Sequence, residues 1–187
     1  MQYDKAKFLA EKDVLTEVYN RRFVYGIFDK MVIKVNANHQ KLSLFVVDVN
    51  EFKSINDTYG HEVGDEVLLR ISNTLLQNTR KVDVVARWGG DEFLIIAPFT
   101  DREGTAVIIK RIEKELQELS KQMKADISVS IGTAMYPTDA KTLDDLIKVA
   151  DKNMYQVKES KKFFQDEITY TNQHFICLKE KSNYPNS

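Results

Sequence analysis

Residues 87–93 read RWGGDEF and lie between two strand-like runs, VDVVARW and EFLIIA. This pattern predicts a β-hairpin with a tight two-residue turn at Gly89 and Gly90. Glycine supplies positive φ at such a turn and leaves no side chain, so another group can approach the backbone closely. A Gly-Gly turn alone is usually only structural. Because Asp91 and Glu92 follow at once, we expect this turn to present carboxylates as well.

Helical and strand patterns alternate along the rest of the chain. The polar, glycine-containing segment 50–60 is interpreted as turns. Apolar spacing predicts helices at about residues 23–35, 62–76, 101–121 and 142–158, and strands at 42–49 and 126–137. With a hairpin in the middle of this order, the pattern favours an α+β fold in which a mostly antiparallel central sheet is wrapped by helices.

Composition limits the possible classes of protein. With 187 residues, 43% hydrophobic and 29% charged, the chain is expected to form one globular domain with short ends. We assign residues 1–12 to a linker helix, 13–163 to the domain, and 164–187 to a short strand and tail. The net charge of -1 argues against binding a nucleic acid polymer. A single cysteine, Cys177, excludes an internal disulfide framework, and no run is long enough to cross a membrane, so we expect a cytoplasmic protein.

A carboxylate also ends the other strongly apolar strand. Asp48 shares a face with Leu44 and Val46 in LSLFVVDV, where a charge needs a reason. If the two strands are neighbours, Asp48 and Asp91 can meet. Such carboxylates form a hard-oxygen site for Mg²⁺ or Mn²⁺, which in turn binds phosphate oxygens, and one of them can act as a base for an attacking hydroxyl.

The segment after Asp48 contains groups suited to a nucleotide. Lys53 is a mobile positive charge, and the backbone around Phe52 and Lys53 can offer amide donors to a phosphate. Asn56, His61 and Asp65 can face one pocket, since His61 and Asp65 lie one helical turn apart. An Asp accepts from guanine and rejects adenine, which lacks those donors. The structural alternative, a turn followed by a helix start, remains open for this segment.

Five segments taken together resemble the GGDEF family of diguanylate cyclases. In order they are residues 13–22, 48–68, 80–93, 128–137 and 150–158. The resemblance implies a sheet related to nucleotide cyclase and polymerase palm domains, with a ferredoxin-like core. It also implies condensation of two GTP molecules into cyclic di-GMP with loss of two pyrophosphates. Because each domain of this kind holds one GTP, a working enzyme would be a homodimer with facing active sites.

The resemblance also implies roles at the acidic turn. Asp48, the carbonyl of Val49, and Asp91 would bind the metal, with Glu92 in support. Asp91 would in addition accept the proton of the 3'-hydroxyl. Lys53 would stabilise charge that develops on the phosphates.

Further roles concern the rest of the nucleotide. Asn56, His61 and Asp65 would hold the guanosine, and Lys158 would reach the terminal phosphates. The chain has Lys161-Lys162-Phe163 where the family usually has Gly-Arg-Asn. Lys162 keeps a positive charge for the phosphates but lacks the bidentate fork of arginine.

An inhibitory product site is implied by Arg80-x-x-Asp83 upstream of the turn. Arg111 stands where the family has a second arginine, and the three residues would bind cyclic di-GMP.

At the acidic turn, Asn50 stands where many members of the family have a second Asp after the metal-binding one. The inhibitory site also has a simpler interpretation. Arg-x-x-Asp alone is often a surface ion pair.

Three hypotheses follow. The chain is an active, product-inhibited cyclase, a non-catalytic module that binds GTP or cyclic di-GMP, or a dimerising scaffold. The intact carboxylates at the turn favour the first. The chain is either a fragment of a longer signalling protein or a cyclase controlled by association alone.

Overall fold

One five-stranded sheet forms the centre of the protein in the computed structural model, which describes residues 10–123 and 125–160. The order across the sheet is β1-β3-β4-β2-β5. The strands are β1 (Tyr19–Asn20), β2 (Leu42–Val49), β3 (Val84–Arg87), β4 (Glu92–Pro98) and β5 (Val129–Tyr136). β1 pairs with β3 in parallel and the other three pairings are antiparallel, which confirms the predicted fold class.

Helices cover both faces of the sheet. They are α1 (Arg21–Ala37), α2 (Phe52–Tyr59), α3 (His61–Gln77), α4 (Arg102–Gln122) and α5 at residues 143–160. Apolar residues of α2, α3 and α4 pack on one face, against the odd-numbered positions of β2 such as Phe45 and Val47. Those of α1 and α5 pack on the other face, against Leu44 and Val46. Alternating side chains of a buried strand thus supply both cores.

Strand register places the ends of β2, β4 and β5 together. Asp48 lies opposite Glu92 of β4 on one side and opposite Ser130 of β5 on the other. Asp48 follows Leu44 and Val46 on the face that α5 covers. The sheet therefore brings the last residues of its central strand to the hairpin and to α5.

Two local predictions were wrong. Residues 52–59 of the supposed turn segment form helix α2, which the structure separates from α3 by Gly60 at φ 87°. In the hairpin, residues 88–91 connect β3 to β4, and neither Gly89 nor Gly90 has positive φ. With four connecting residues, the hairpin does not need the mirror-image turn of a two-residue loop.

Other boundaries shift by a few residues. β5 begins at Val129 rather than near residue 126, and β1 was not predicted. Residues 10 and 11 are helical, but most of the predicted linker helix, Cys177, Lys162 and the predicted strand within 164–187 lie outside the described residues. Of the helices in residues 10–123 and 125–160, none is both long and apolar enough to cross a membrane.

Candidate functional site

The acidic end of the sheet is formed by β2 and the β3–β4 hairpin. Because β2 and β4 are direct neighbours, Asp48 lies opposite Glu92, and the Val49 amide donates to the Asp91 carbonyl oxygen at 3.1 Å. The Asp48 side chain is only 15% exposed, while Asp91 and Glu92 are half-buried. The structure thus brings together the four residues that the sequence assigned to a metal.

Negative charge accumulates at this sheet end. Partial burial raises the pKa of Glu92, and the neighbouring carboxylates of Asp48, Asp151 and Asp91 raise it further, while Lys158 lowers it. Burial also raises the pKa of Asp151. Asp151 belongs to α5 and was not among the predicted site residues. The carboxylates therefore favour a cation in their midst.

Lys158 supplies one such charge. Its Nζ donates to Asp48 Oδ1 at 2.6 Å, although the sequence had assigned this lysine to the terminal phosphates. α5 can place Lys158 here because it packs directly on the backbone of β5 at Gly132. A Cβ on Gly132 would overlap the Ala150 carbonyl oxygen and the Met154 amide nitrogen.

The donor chemistry of the sheet end fits a hard divalent cation. Asp48, Asp91, Glu92 and the Val49 carbonyl offer only oxygen, the donor that Mg²⁺ prefers. Burial and the neighbouring carboxylates together raise the pKa of Glu92, and a bound cation would oppose that effect. Within the described residues, no three His, Cys, Asp or Glu side chains already stand in a metal-binding arrangement. The residues fit the ion, which would compete with Lys158 for the Asp48 carboxylate.

Neither hairpin glycine has positive φ, so the absence of a side chain is what matters at these two positions. A Cβ on Gly89 would lie 2.7 Å from Glu92 Oε2, so Gly89 makes room for that carboxylate. A Cβ on Gly90 would meet nothing within 4 Å, and this residue faces open space. The Gly90 carbonyl accepts from Arg87 Nη2 at 2.7 Å. The backbone is thus packed against the Glu92 side chain at Gly89 and open to an approaching group at Gly90.

An ion pair links the hairpin to the N-terminal segment. Arg87 Nη1 donates to Asp13 Oδ1 at 3.1 Å, and Thr16 donates to the same oxygen through its amide and its hydroxyl. Burial acts to raise the pKa of Asp13, but the hydrogen bonds from Thr16 and Arg87 outweigh it and lower the pKa. Asp13 and Arg87 stood inside the recognised motifs, yet their pairing was not predicted.

The residues predicted to hold guanine lie on α2 and α3. Asn56 and Phe52 of α2 pack over Gly64, which lies between the exposed His61 and Asp65 on α3. A Cβ on Gly64 would overlap Asn56 Oδ1 and lie 3.4 Å from Phe52 Cζ. The three predicted polar residues therefore lie around one glycine. Gly64 was missed, although a glycine between His61 and Asp65 is a usable signal of close approach.

The predicted phosphate contact lies at the start of α2. Glu51 precedes the helix with a left-handed backbone, φ 54°, and its side chain does not cap the first turn. Phe52 and Lys53 occupy that turn, and Lys53 is exposed. Uncapped amides at a helix start attract anions. The geometry suits the role that the sequence assigned to these two residues.

Asn50 joins β2 to β5 at the same sheet end. Its Nδ2 donates to Ser128 Oγ at 2.9 Å, and its Oδ1 accepts from Ser130 Oγ at 2.7 Å. The side chain that replaces the family's second Asp is therefore a neutral link between strands. It adds no charge to an already acidic site.

The three residues of the predicted inhibitory site line one cavity of about 310 Å³. Arg80 Nη2 donates to Asp83 Oδ1 at 3.1 Å, and the Asp83 side chain is completely buried. Arg111 lies on α4 and donates to the Asn78 carbonyl oxygen at 2.9 Å. In this geometry Asp83 holds Arg80 in place, and the two arginines face the cavity.

Sheet order, helical layers and an acidic sheet end together define an α+β domain of the nucleotide cyclase and palm class. The family model for "Diguanylate cyclase, GGDEF domain" matches residues 10–163. The chain therefore belongs to the GGDEF family, and the resemblance seen in the sequence is confirmed.

Relatives and solved structures agree with this assignment. Diguanylate cyclase DosC of Escherichia coli K12 is 39% identical over 152 residues, which cover 78% of this chain and 32% of DosC. The GGDEF domain of TpbB (YfiN) from Pseudomonas aeruginosa superposes with a TM-score of 0.74 at 34% identity, covering 80% of this chain and 89% of that one. The coiled coil and GGDEF domain of DgcB from Caulobacter crescentus, solved in complex with c-di-GMP, gives a TM-score of 0.75 at 25% identity, covering 85% and 86%.

The chain spans about a third of the length of the curated relatives that it matches. Family membership supports a function related to cyclic di-GMP and a place among nucleotidyl cyclases.

Proposed function

We propose that this chain is a diguanylate cyclase that condenses two GTP molecules into cyclic di-GMP and two pyrophosphates. The observation that carries the proposal is the register of β2 and β4, which sets Asp48 opposite Glu92 and beside Asp91. Carboxylates at this position suit the attack of a 3'-hydroxyl on an α-phosphorus. Use of GTP would place the reaction in the cytoplasm.

Each residue at the sheet end has a defined task. Asp91 takes the proton of the attacking 3'-hydroxyl as the new phosphorus–oxygen bond forms and the bond to pyrophosphate breaks. Asp48, Asp91, Glu92 and the Val49 carbonyl would hold Mg²⁺ or Mn²⁺, which when bound neutralises charge on the phosphates. Lys53 and the amides at the start of α2 bind phosphate oxygens.

Recognition of the base falls to the pocket over Gly64. Asp65 accepts from the guanine N1 and exocyclic amine hydrogens, and Asn56 meets the acceptor edge, with His61 beside them. An adenine would leave the Asp65 carboxylate without those donors, which disfavours ATP. When the nucleotide and the cation bind, Lys158 leaves Asp48 and contacts the terminal phosphates. Lys162, four positions later in the sequence, is assigned to the same phosphates.

Product formation requires two copies of this chain. One sheet end holds one GTP, so the second 3'-hydroxyl and α-phosphate come from a facing protomer in a homodimer. Product inhibition would act through cyclic di-GMP at Arg80, Asp83 and Arg111.

The test is turnover of GTP by the purified chain with Mg²⁺, with nucleotides separated and identified by mass. Wild type and Asp29→Asn, an exposed control on α1, should form cyclic di-GMP, and Asp91→Asn should form none. Equal turnover by Asp91→Asn would remove the assigned role of Asp91. ATP in place of GTP should give no product.

A second candidate is a non-catalytic module that binds GTP or cyclic di-GMP. It is favoured by the contact of Lys158 with Asp48, which occupies a predicted metal ligand. GTP binding without turnover, at high chain concentration and with either Mg²⁺ or Mn²⁺, would select this candidate.

A further inference from the structure

The cavity beside Arg80 lies at the end of β4 opposite to the acidic site. β4 begins at Glu92 and ends at Pro98, whose carbonyl oxygen accepts from Arg80 Nη2 at 2.8 Å. Both polar and apolar groups line the cavity. The apolar part consists of Phe99, Val107 and Ile108.

The two arginines are fixed by the protein and retain free donors. Arg80 Nη2 also donates to Thr100 Oγ1 at 2.6 Å, and Arg111 uses Nη2 for Asn78. Within residues 10–123 and 125–160, Nη1 of each arginine has no hydrogen-bond acceptor from the protein. Arg80 is half exposed. Two positioned guanidinium groups thus suit a ligand with phosphate or carbonyl oxygens.

Phe99 is the unusual member of the apolar part. Its φ of 58° is left-handed, which costs a residue other than glycine or asparagine about 1 kcal/mol. The residue is nonetheless 39% exposed, and the neighbouring Val107 is 56% exposed. A large ring held in an unfavourable backbone conformation at the rim of a cavity gains little from burial. A flat group stacked on the ring would bury the part that is exposed.

We propose that Phe99 forms the stacking wall of the Arg80–Arg111 cavity and makes this cavity selective for ligands that carry a planar nucleobase. The base stacks on Phe99 while the arginines bind oxygens of the same ligand. Stacking on an aromatic side chain tolerates any base, so the ring selects for a planar group and the arginines for its charge. This inference rests on the proposed function for the identity of the ligand, cyclic di-GMP.

The experiment is calorimetric titration of cyclic di-GMP into Asp91→Asn protein, which isolates binding from turnover. On that background, Phe99→Leu should weaken binding about tenfold, equivalent to about 1.4 kcal/mol. Leucine is apolar and as strained as phenylalanine at this φ, so the loss of affinity measures the contribution of the aromatic ring. Phe99→Tyr should bind within about twofold of the parent protein, the range we take as unchanged. Ile33→Ala, which trims a side chain 67% exposed on α1, should change nothing.

A second ring-free variant covers the case in which Phe99→Leu does not fold. Asparagine suits a left-handed backbone, so Phe99→Asn should keep the unfolding free energy and still lose binding. Arg80→Ala should abolish the same binding event. Tight binding by both ring-free variants, or no binding of cyclic di-GMP to the parent protein, would overturn the inference.

Turnover by the wild-type chain separates this inference from the proposed function. If the wild type synthesises cyclic di-GMP but binding does not depend on Phe99, the stacking role of Phe99 is wrong and the proposed function stands. Phe99-dependent binding without synthesis contradicts the cyclase and supports the wall.

Discussion

Replacing Gly64 with alanine should change protein stability and nucleotide affinity in opposite directions. Gly64 is buried in α3, and alanine is favoured over glycine in a helix interior by about 1 kcal/mol. The new Cβ would overlap Asn56 Oδ1, the end of a side chain that can rotate away, and would only touch Phe52 Cζ at 3.4 Å. The fold should therefore survive, with Asn56 moved out of the pocket.

The loss of affinity follows from the displaced amide. One hydrogen bond contributes about 0.5–1.5 kcal/mol, and a guanine group left without its partner costs about 1–3 kcal/mol. An unpartnered guanine group should thus weaken GTP binding about 5- to 150-fold. Calorimetry with GTP in the absence of a divalent cation measures this loss without turnover, and urea unfolding measures stability.

Gly26→Ala is the matched control. Gly26 lies within α1, and a Cβ there would meet nothing within 4 Å. This variant should gain about 0.5–1 kcal/mol in the free energy of unfolding and bind GTP as the wild type does. If Gly64→Ala also binds GTP like the wild type, Asn56 does not contact the base and the assignment of the pocket fails.

Two further changes test the packing and the charge of the sheet end. Gly132→Ala should lower the free energy of unfolding by about 3 kcal/mol or more, because its Cβ meets the backbone of α5, which cannot rotate aside. A loss under about 1 kcal/mol in urea unfolding would show that α5 is free to move off β5. Glu92→Gln should stabilise the protein at neutral pH by less than about 1 kcal/mol, because solvent screens the charge of Glu92. The pKa of Glu92 is raised in the folded state, so the wild type loses stability as pH rises above the ordinary carboxyl range, and the glutamine variant does not. Unfolding curves measured from acid to neutral pH should diverge for the two proteins, and parallel curves would refute the charge repulsion.

Sequence pattern predicted the strands and helices with strong apolar periodicity. β2, β4, α3 and α4 each bury a row of aliphatic residues. The predicted range of β2 coincides with the structure, and those of the other three differ from it by about one residue at an end. Helix α2 was missed because Ile55 is its only fully buried residue, so it shows no helical stripe. β1 has two residues, and each pairs in parallel with a residue of β3 that lies 67 positions later, a contact that no local pattern reveals.

The residues of the candidate site likewise fall into those that the sequence pattern predicted and those whose role depends on tertiary packing. Asp48 was predicted because a charge at the end of an apolar strand requires an explanation, and Asp91 because it directly follows the two glycines of the turn. Gly64 was missed because its importance depends on Asn56 of the preceding helix, and that packing appears only in three dimensions. Lys158 was expected near phosphates, but its contact with Asp48 spans 110 positions and depends on how α5 crosses β5.

The position of the acidic hairpin is determined from outside the sheet as well as within it. Strand pairing fixes Glu92 opposite Asp48, but the turn itself is held by Arg87, which donates to the Gly90 carbonyl and to Asp13, 74 positions upstream. Although burial acts to raise it, the hydrogen bonds from Thr16 and the pairing with Arg87 lower the pKa of Asp13, which shows that the carboxylate is well satisfied in this position. A displacement of the N-terminal segment would pull on Arg87 and through it on the backbone next to Asp91. The geometry on which the proposed chemistry depends is therefore coupled to the point at which the chain enters the domain.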